Sequence, residues 1–264
     1  MSCIAINSAA SALQIAKIKL DVLANDVANK DTIGYKTHDV RTSDLPYTTI
    51  TKPMPTDGGD SYSSQIQVGN GAKVTSTTRI LTQGALKSTQ SPLDIMINGS
   101  GYFAITLPNG GRAFTRDGSF SVSNSKLVTK NGSIVESDTG EIEIKDTYDI
   151  QSLSVSASGK LSIKDNTGAN VELGKLALYH FDNEQALEAI GNNLFIGNEA
   201  SGEGTLIEDG IGTTVRSRAL EASNVETVKV MMDLMEAQHV YETALKIMEI
   251  INKIEHKANE IVTV

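Results

Sequence analysis

Glycine and proline divide this chain into three parts. All 22 glycines lie between Gly34 and Gly212, and all five prolines between Pro46 and Pro108. Both residues oppose helix interiors and punctuate turns. Two ends without either, flanking a middle dense in both, predict a helix, a β-rich body and a second helix. The 264 residues leave room for one or two folded bodies and an extension.

Hydrophobic spacing at the ends agrees. Ile6, Ala9, Leu13, Ala16, Leu20, Leu23 and Val27 alternate three- and four-residue steps, which puts them on one stripe of an α-helix, a coiled-coil seam. Ile15, Ile18 and Val22 lie off that stripe, so this helix has apolar surface on more than one side. The far end opens with Ser223-Asn224-Val225-Glu226, a capping-box pattern that predicts a helix from Asn224 to Glu260, about 55 Å long. On it, Met231, Leu234, Tyr241, Leu245 and Met248 fall at seam spacing with Gln238 as the polar exception, and Val240, Ile247, Ile250 and Ile254 form an adjacent stripe. Each helix carries more apolar surface than a β body can cover, which favours pairing with the other helix and with further copies.

The middle reads as strands and turns. Leu93–Ile97 and Tyr102–Ile105 flank Asn98-Gly99-Ser100-Gly101, a hairpin signal. Asn131-Gly132 carries a similar signal. Short runs at 119–122, 126–129, 141–145, 153–155, 161–163 and 174–180 sit between turn residues, which favours an all-β body. The stretch from Thr37 to Thr75, with Pro53, Pro55 and Asp57-Gly58-Gly59-Asp60, is expected to run as an extended linker with a loop. The fold class expected is α+β: terminal helices in a joint coiled-coil-like domain, and a central domain of short antiparallel strands.

Composition argues against several functions. Aromatic residues are 5% with no Trp, and the net charge is −9, so neither stacking platforms nor a basic face for nucleic acid is present. No run approaches the roughly 18 apolar residues of a membrane span, and polar residues from Asn7 to Lys19 break any signal-peptide core. Cys3 is the single cysteine, which excludes an internal disulfide. His38, His180, His239 and His256 are scattered without metal-ligand spacing, and Asp165–Asn170 lacks the order of a calcium loop. Gly99–Ala104 matches a dinucleotide-binding pattern in letters, but a strand-like run and Pro108 follow where a helix is required. No catalytic, cofactor-binding or metal-binding residue is assigned, and an enzyme is not expected.

Three sets of motifs carry a resemblance. Leu20-Asp21-Val22-Leu23-Ala24-Asn25-Asp26-Val27-Ala28-Asn29 with Thr32-Ile33-Gly34-Tyr35-Lys36 resembles the N-terminal signature of the flagellar rod and hook family. Gly101-Tyr102-Phe103, Ala113–Phe120 and Leu127-Val128-Thr129 resemble its central motifs, and Leu220–Val225 with Gln238–Glu242 its C-terminal ones. His239 stands where the pattern has Arg, and Asp26 where it has Asn. Within the family, the length and Leu187–Phe195 look most like members of the distal rod, with the proximal rod as the alternative. A β-domain binding module with coiled-coil ends is the remaining reading.

The resemblance implies a helical inner domain from residues 1–36 and 221–264, a linking region from 37–80 and 205–220, and an outer β domain from 81–204. It implies a structural, self-assembling subunit with no cofactor, exported by the flagellar type III route without a cleaved signal peptide. The expected place is the rod crossing the periplasm, where it transmits torque. Its partners would be further copies, other rod proteins, the hook protein and the surrounding rings, with neither nucleic acid nor membrane insertion. The assembly interface is expected at Ile6, Leu13, Leu20, Leu23, Asn25, Val27, Asn29 and Gly34, and at Asn224, Met231, Leu234, Gln238, Tyr241, Leu245 and Met248.

Overall fold

The computed structural model describes residues 2–51, 66–138, 140–145, 147–165, 168–207 and 212–262. The prolines and acidic turn expected in a loop at 53–60 lie outside them, as do Asn166 and Thr167 of the calcium-loop candidate. The chain divides into two compact units: residues 1–28, 38–78 and 226–264 form one, and residues 29–37 and 79–225 the other.

The first unit contains both helices, α1 (Ser2–Ala28) and α2 (Thr227–Val262), which pack together. Burial repeats every seventh residue on each: Ala9, Ala16 and Leu23 on α1, Val230, Ala237 and Ala244 on α2. Four of these six are alanines, which lets the backbones approach closely. α2 begins later than the capping pattern predicts. Ser223 Oγ accepts from the Val225 amide at 3.3 Å, and the Glu226 carbonyl takes the bond from the Val230 amide at 3.0 Å. The segment expected to run as a linker is instead paired. His38–Asp44 lies beside Ala72–Arg79, and Thr48–Thr51 beside Ile66–Val68. The reason is that extended backbone needs hydrogen-bond partners, and two runs of this segment supply each other's.

The second unit is built of strands. Its largest sheet runs in the order Glu188–Gly191, Leu194–Ile196, Arg112–Thr115, Tyr102–Thr106, Ile134–Ser137, Lys126–Thr129, Phe120–Ser123. Tyr148–Val155, Lys160–Asp165 and Asn170–Lys175 form a separate antiparallel meander. Tyr102–Ile105 is buried on both faces, and the period of two sorts it. Phe103 and Ile105 enter the main aliphatic core with Ile95, Leu127, Leu161 and Ile163. Tyr102 and Ala104 enter a smaller aromatic core with Phe114, Phe181 and Phe195.

The two Asn-Gly signals have different outcomes. At Asn131-Gly132 the chain reverses, with Lys126–Thr129 paired to Ile134–Ser137. At Asn98-Gly99 the expected hairpin is not formed: Ile95–Asn98 pairs with Thr214–Ser217, while Tyr102–Thr106 joins the large sheet. The Gly99 amide donates to Gln83 Oε1 and its carbonyl accepts from Arg116, so the turn is held by groups distant in sequence. The architecture is α+β, with two helices and a mainly antiparallel β unit.

Candidate assembly surface and the clasp of the signature motifs

On α1, the expected interface residues Ile6, Leu13, Leu20 and Val27 are half-buried, Leu23 is buried and Asn25 is exposed. On α2 one half of the expected seam, Met231, Gln238 and Leu245, is displaced by one position. Leu234, Tyr241 and Met248 are half-buried, and the buried positions are Val230, Ala237 and Ala244. Met231 and Leu245 stay 54% and 45% exposed, and Gln238 is exposed with its amide donating to Glu242. Sequence reasoning favoured the larger apolar residues, whereas close packing selects the alanines beside them. Val240, Ile247, Ile250 and Ile254 are also exposed.

The remaining expected residues, Asn29, Gly34 and Asn224, belong to the β unit. Asn29 closes the turn after α1 by accepting from the Thr32 amide and hydroxyl. Asn224 laces three segments: its Oδ1 accepts from the Thr37 amide at 2.8 Å, and its Nδ2 donates to the Ile80 and Thr82 carbonyls. Gly34 has φ +70°, and a Cβ there would lie 3.1 Å from the Arg116 carbonyl carbon.

Gly34 marks a structure that no search for interface residues predicted. Lys36, Arg116 and Glu221, one residue from each of the three sets of signature motifs, meet in a buried ion cluster. The side chains are 4%, 5% and 1% exposed. Glu221 Oε1 accepts from Lys36 Nζ and from the Gly84 amide, and its Oε2 lies 3.4 Å from Arg116 Nη1. The Glu221 carbonyl accepts from the Gly34 amide at 2.8 Å. Lys36 also donates to the Thr82 carbonyl, and Arg116 to that of Gly99. A Cβ at Gly84 would fall 1.8 Å from the Ala222 carbonyl oxygen, so only glycine fits there.

Two cations face one carboxylate. Burial draws the Lys36 pKa below the usual lysine range, against the opposing pull of Glu221. The Arg116 guanidinium lies 5.1 Å over the Tyr102 ring, a contact that offsets part of its desolvation. Tyr102 in turn donates to Glu184 at 3.1 Å. Burial first, and the Glu184 charge second, push the Tyr102 phenol well above its ordinary pKa. The cluster ties residues 34–37 to 221–224, where the chain enters and leaves the β unit. The signal for it was present in the motifs, but nothing in their spacing says that segments 185 residues apart touch.

Among the described residues no group of three or more His, Cys, Asp or Glu could hold a metal ion, and no helix is long and apolar enough to cross a membrane.

Comparisons with known families identify the class. Residues 6–36 match the family described as flagella basal body rod protein. Residues 96–163 match the flagellar hook protein FlgE/F/G D1 domain, and residues 216–261 the flagellar basal body rod FlgEFG protein C-terminal family. These define the class as that of flagellar rod and hook proteins. The basal-body rod protein FlgG of Caulobacter vibrioides is 36% identical over 92% of this chain and 93% of its own length. FlgG of Borreliella burgdorferi is 35% identical over 89% of each. The rod protein FlgF of Caulobacter vibrioides is 30% identical over 88% of this chain and 86% of its own. The chain belongs to the flagellar basal-body rod protein family and is a structural subunit of the flagellar rod.

Proposed function

We propose that this chain builds the distal part of the rod, polymerising through its terminal helices into the shaft that transmits torque for motility. The observation that carries this reading is the apolar surface α2 leaves exposed after pairing with α1. Met231, Leu245, Ile250 and Ile254 are among its members. A solvated helix does not keep such a surface without a partner to cover it. In this reading residues 1–36 and 221–264 form the inner, helical part of the shaft, 37–80 and 205–220 link it, and 81–204 face outward. The fifteen expected interface residues divide by role: those on the helices meet other copies, and Asn29, Gly34 and Asn224 hold segments of the β unit together.

The subunit carries no catalytic activity. It reaches the periplasm by the flagellar export route and contacts further copies, other rod proteins, the hook protein and the basal-body rings. Similarity to FlgF supports a place in the proximal rod as the second reading. The test is Leu245→Asp in a strain lacking the native copy, with basal bodies imaged by electron cryotomography. Loss of the rod distal to a normal proximal segment is expected. Normal rods would refute assembly through α2, and loss of the whole rod would favour the proximal reading.

A further inference from the structure

Between α1 and α2 runs an open groove of about 900 Å³, with Ala5, Ser8 and Ala12 on one wall and Val240, Thr243 and Ile247 on the other. No residue of α1 from Ser2 to Ala16 is charged. The same chain carries a surface of matching character. α2 has 36 residues against 27 in α1, and after Ala244 none of its described side chains is buried. Ile250, Ile254 and Ile261 are 55%, 60% and 77% exposed. With Ile247 they follow steps of three, four and seven residues, which aligns them along one side of the helix, the anchor pattern of a helix that lies in a groove. Glu249, Lys253, His256 and Glu260 fall on another side by the same geometry, with Glu249 and Lys253 paired at 2.8 Å.

Length and continuity point to the occupant. The groove follows α2 from Met235 to Ile247, about 18 Å, and the stretch from Ile250 to Ile261 is about 17 Å. Ile247 belongs to both surfaces, so the isoleucine row continues the α1–α2 interface beyond the point where burial stops. Groove and row lie on one rigid helix, so a copy that inserts its row into a neighbour's groove still presents an empty groove of its own. Such a contact is heterologous and generates an open helical array in place of a closed dimer.

We infer that residues Ile250–Ile261 of one copy occupy the α1–α2 groove of the next, head to tail. This rests on the rod reading above and names the contact that propagates it. The test uses the full chain in assembled rods. In a Cys3→Ser background, Ala12→Cys and Ile254→Cys are introduced singly and together, and isolated basal bodies are oxidised with copper phenanthroline. A ladder of dimers, trimers and larger species is expected from the double variant, and no ladder from either single one. Intact rods from the double variant without cross-links overturn the inference, as does a dimer from Ile254→Cys alone, which would mean a two-fold contact. Absence of rods from cells making the unsubstituted chain would instead sink the rod reading itself. Ile254→Asp supplies a second measure: rods should be lost while the helix content of the soluble chain is unchanged, and rods that form normally overturn the inference.

Discussion

The two units of this molecule place their large apolar side chains differently. In the β unit the large side chains, Phe103, Ile105, Leu127 and Leu161, are buried to 1% exposure or less, and Glu221 to 2%. In the helical unit the buried positions are mostly alanines, while Met231, Leu245, Ile250 and Ile254 face outward. The β unit has spent its apolar surface internally; the helical unit has kept much of it available. In the proposed rod, a body that must hold its shape and a surface that must find neighbours call for these different distributions.

The difference can be tested most severely at Glu221. Replacing it by Leu leaves Lys36 and Arg116 buried without their anion, and the expected loss of β-unit stability is about 3–5 kcal/mol, measured by urea denaturation. Lys36→Met, by contrast, leaves Arg116 facing Glu221 and should cost less, about 1–3 kcal/mol for the lost bonds to Glu221 and to the Thr82 carbonyl. Equal losses from the two would mean that the excess positive charge has no bearing on stability.

In the helical unit the largest effect on stability should come from the smallest residues. Ala244→Leu overpacks the helix interface and should cost about 1–3 kcal/mol, read from thermal loss of helical circular dichroism. An unchanged transition would show that the alanine spacing tolerates bulk.

Tyr102→Phe should act mainly at alkaline pH. The folded phenol holds its proton above the ordinary tyrosine pKa of about 10, while the unfolded one releases it near that value. The native state therefore binds more protons above pH 10, and stability falls as pH rises from there. Phe should remove that part of the fall, and at neutral pH cost about 0.5–1.5 kcal/mol for the lost bond to Glu184. Stability profiles between pH 8 and 11 that superimpose would contradict this. The smallest change should be Leu245→Ala, within about 0.5 kcal/mol for the soluble chain because the side chain is exposed. A larger loss would place Leu245 inside the helix pair.

Local pattern was enough for the elements that depend on neighbours in sequence. The helices follow from the absence of glycine and proline and from the three-four spacing, and the turn at Asn131-Gly132 from two residues. It failed where distant segments decide. Asn98-Gly99 has the same turn chemistry, yet Thr214–Ser217 captures the strand before it. Ser223 and Glu226 have the capping pattern, but neighbouring Asn224 is bound to Thr37 and Ile80, and the helix starts beyond them. On α2 the period was right, and one of the two rows that make the seam was off by one. Met231 and Ala237 each fit a seven-residue repeat, and only the presence of α1 shows which repeat is covered.

By itself the sequence determined the three-part organisation, the two amphipathic helices, the all-β character of the middle and, through its motifs, the family. Periodicity and turn chemistry are local, and the motifs extend along the whole chain. Tertiary structure alone decided which face of α2 meets α1, which strands pair, and that Lys36, Arg116 and Glu221 share one buried site. Those outcomes depend on close packing and on matching buried charge between segments that adjacency in the chain does not relate.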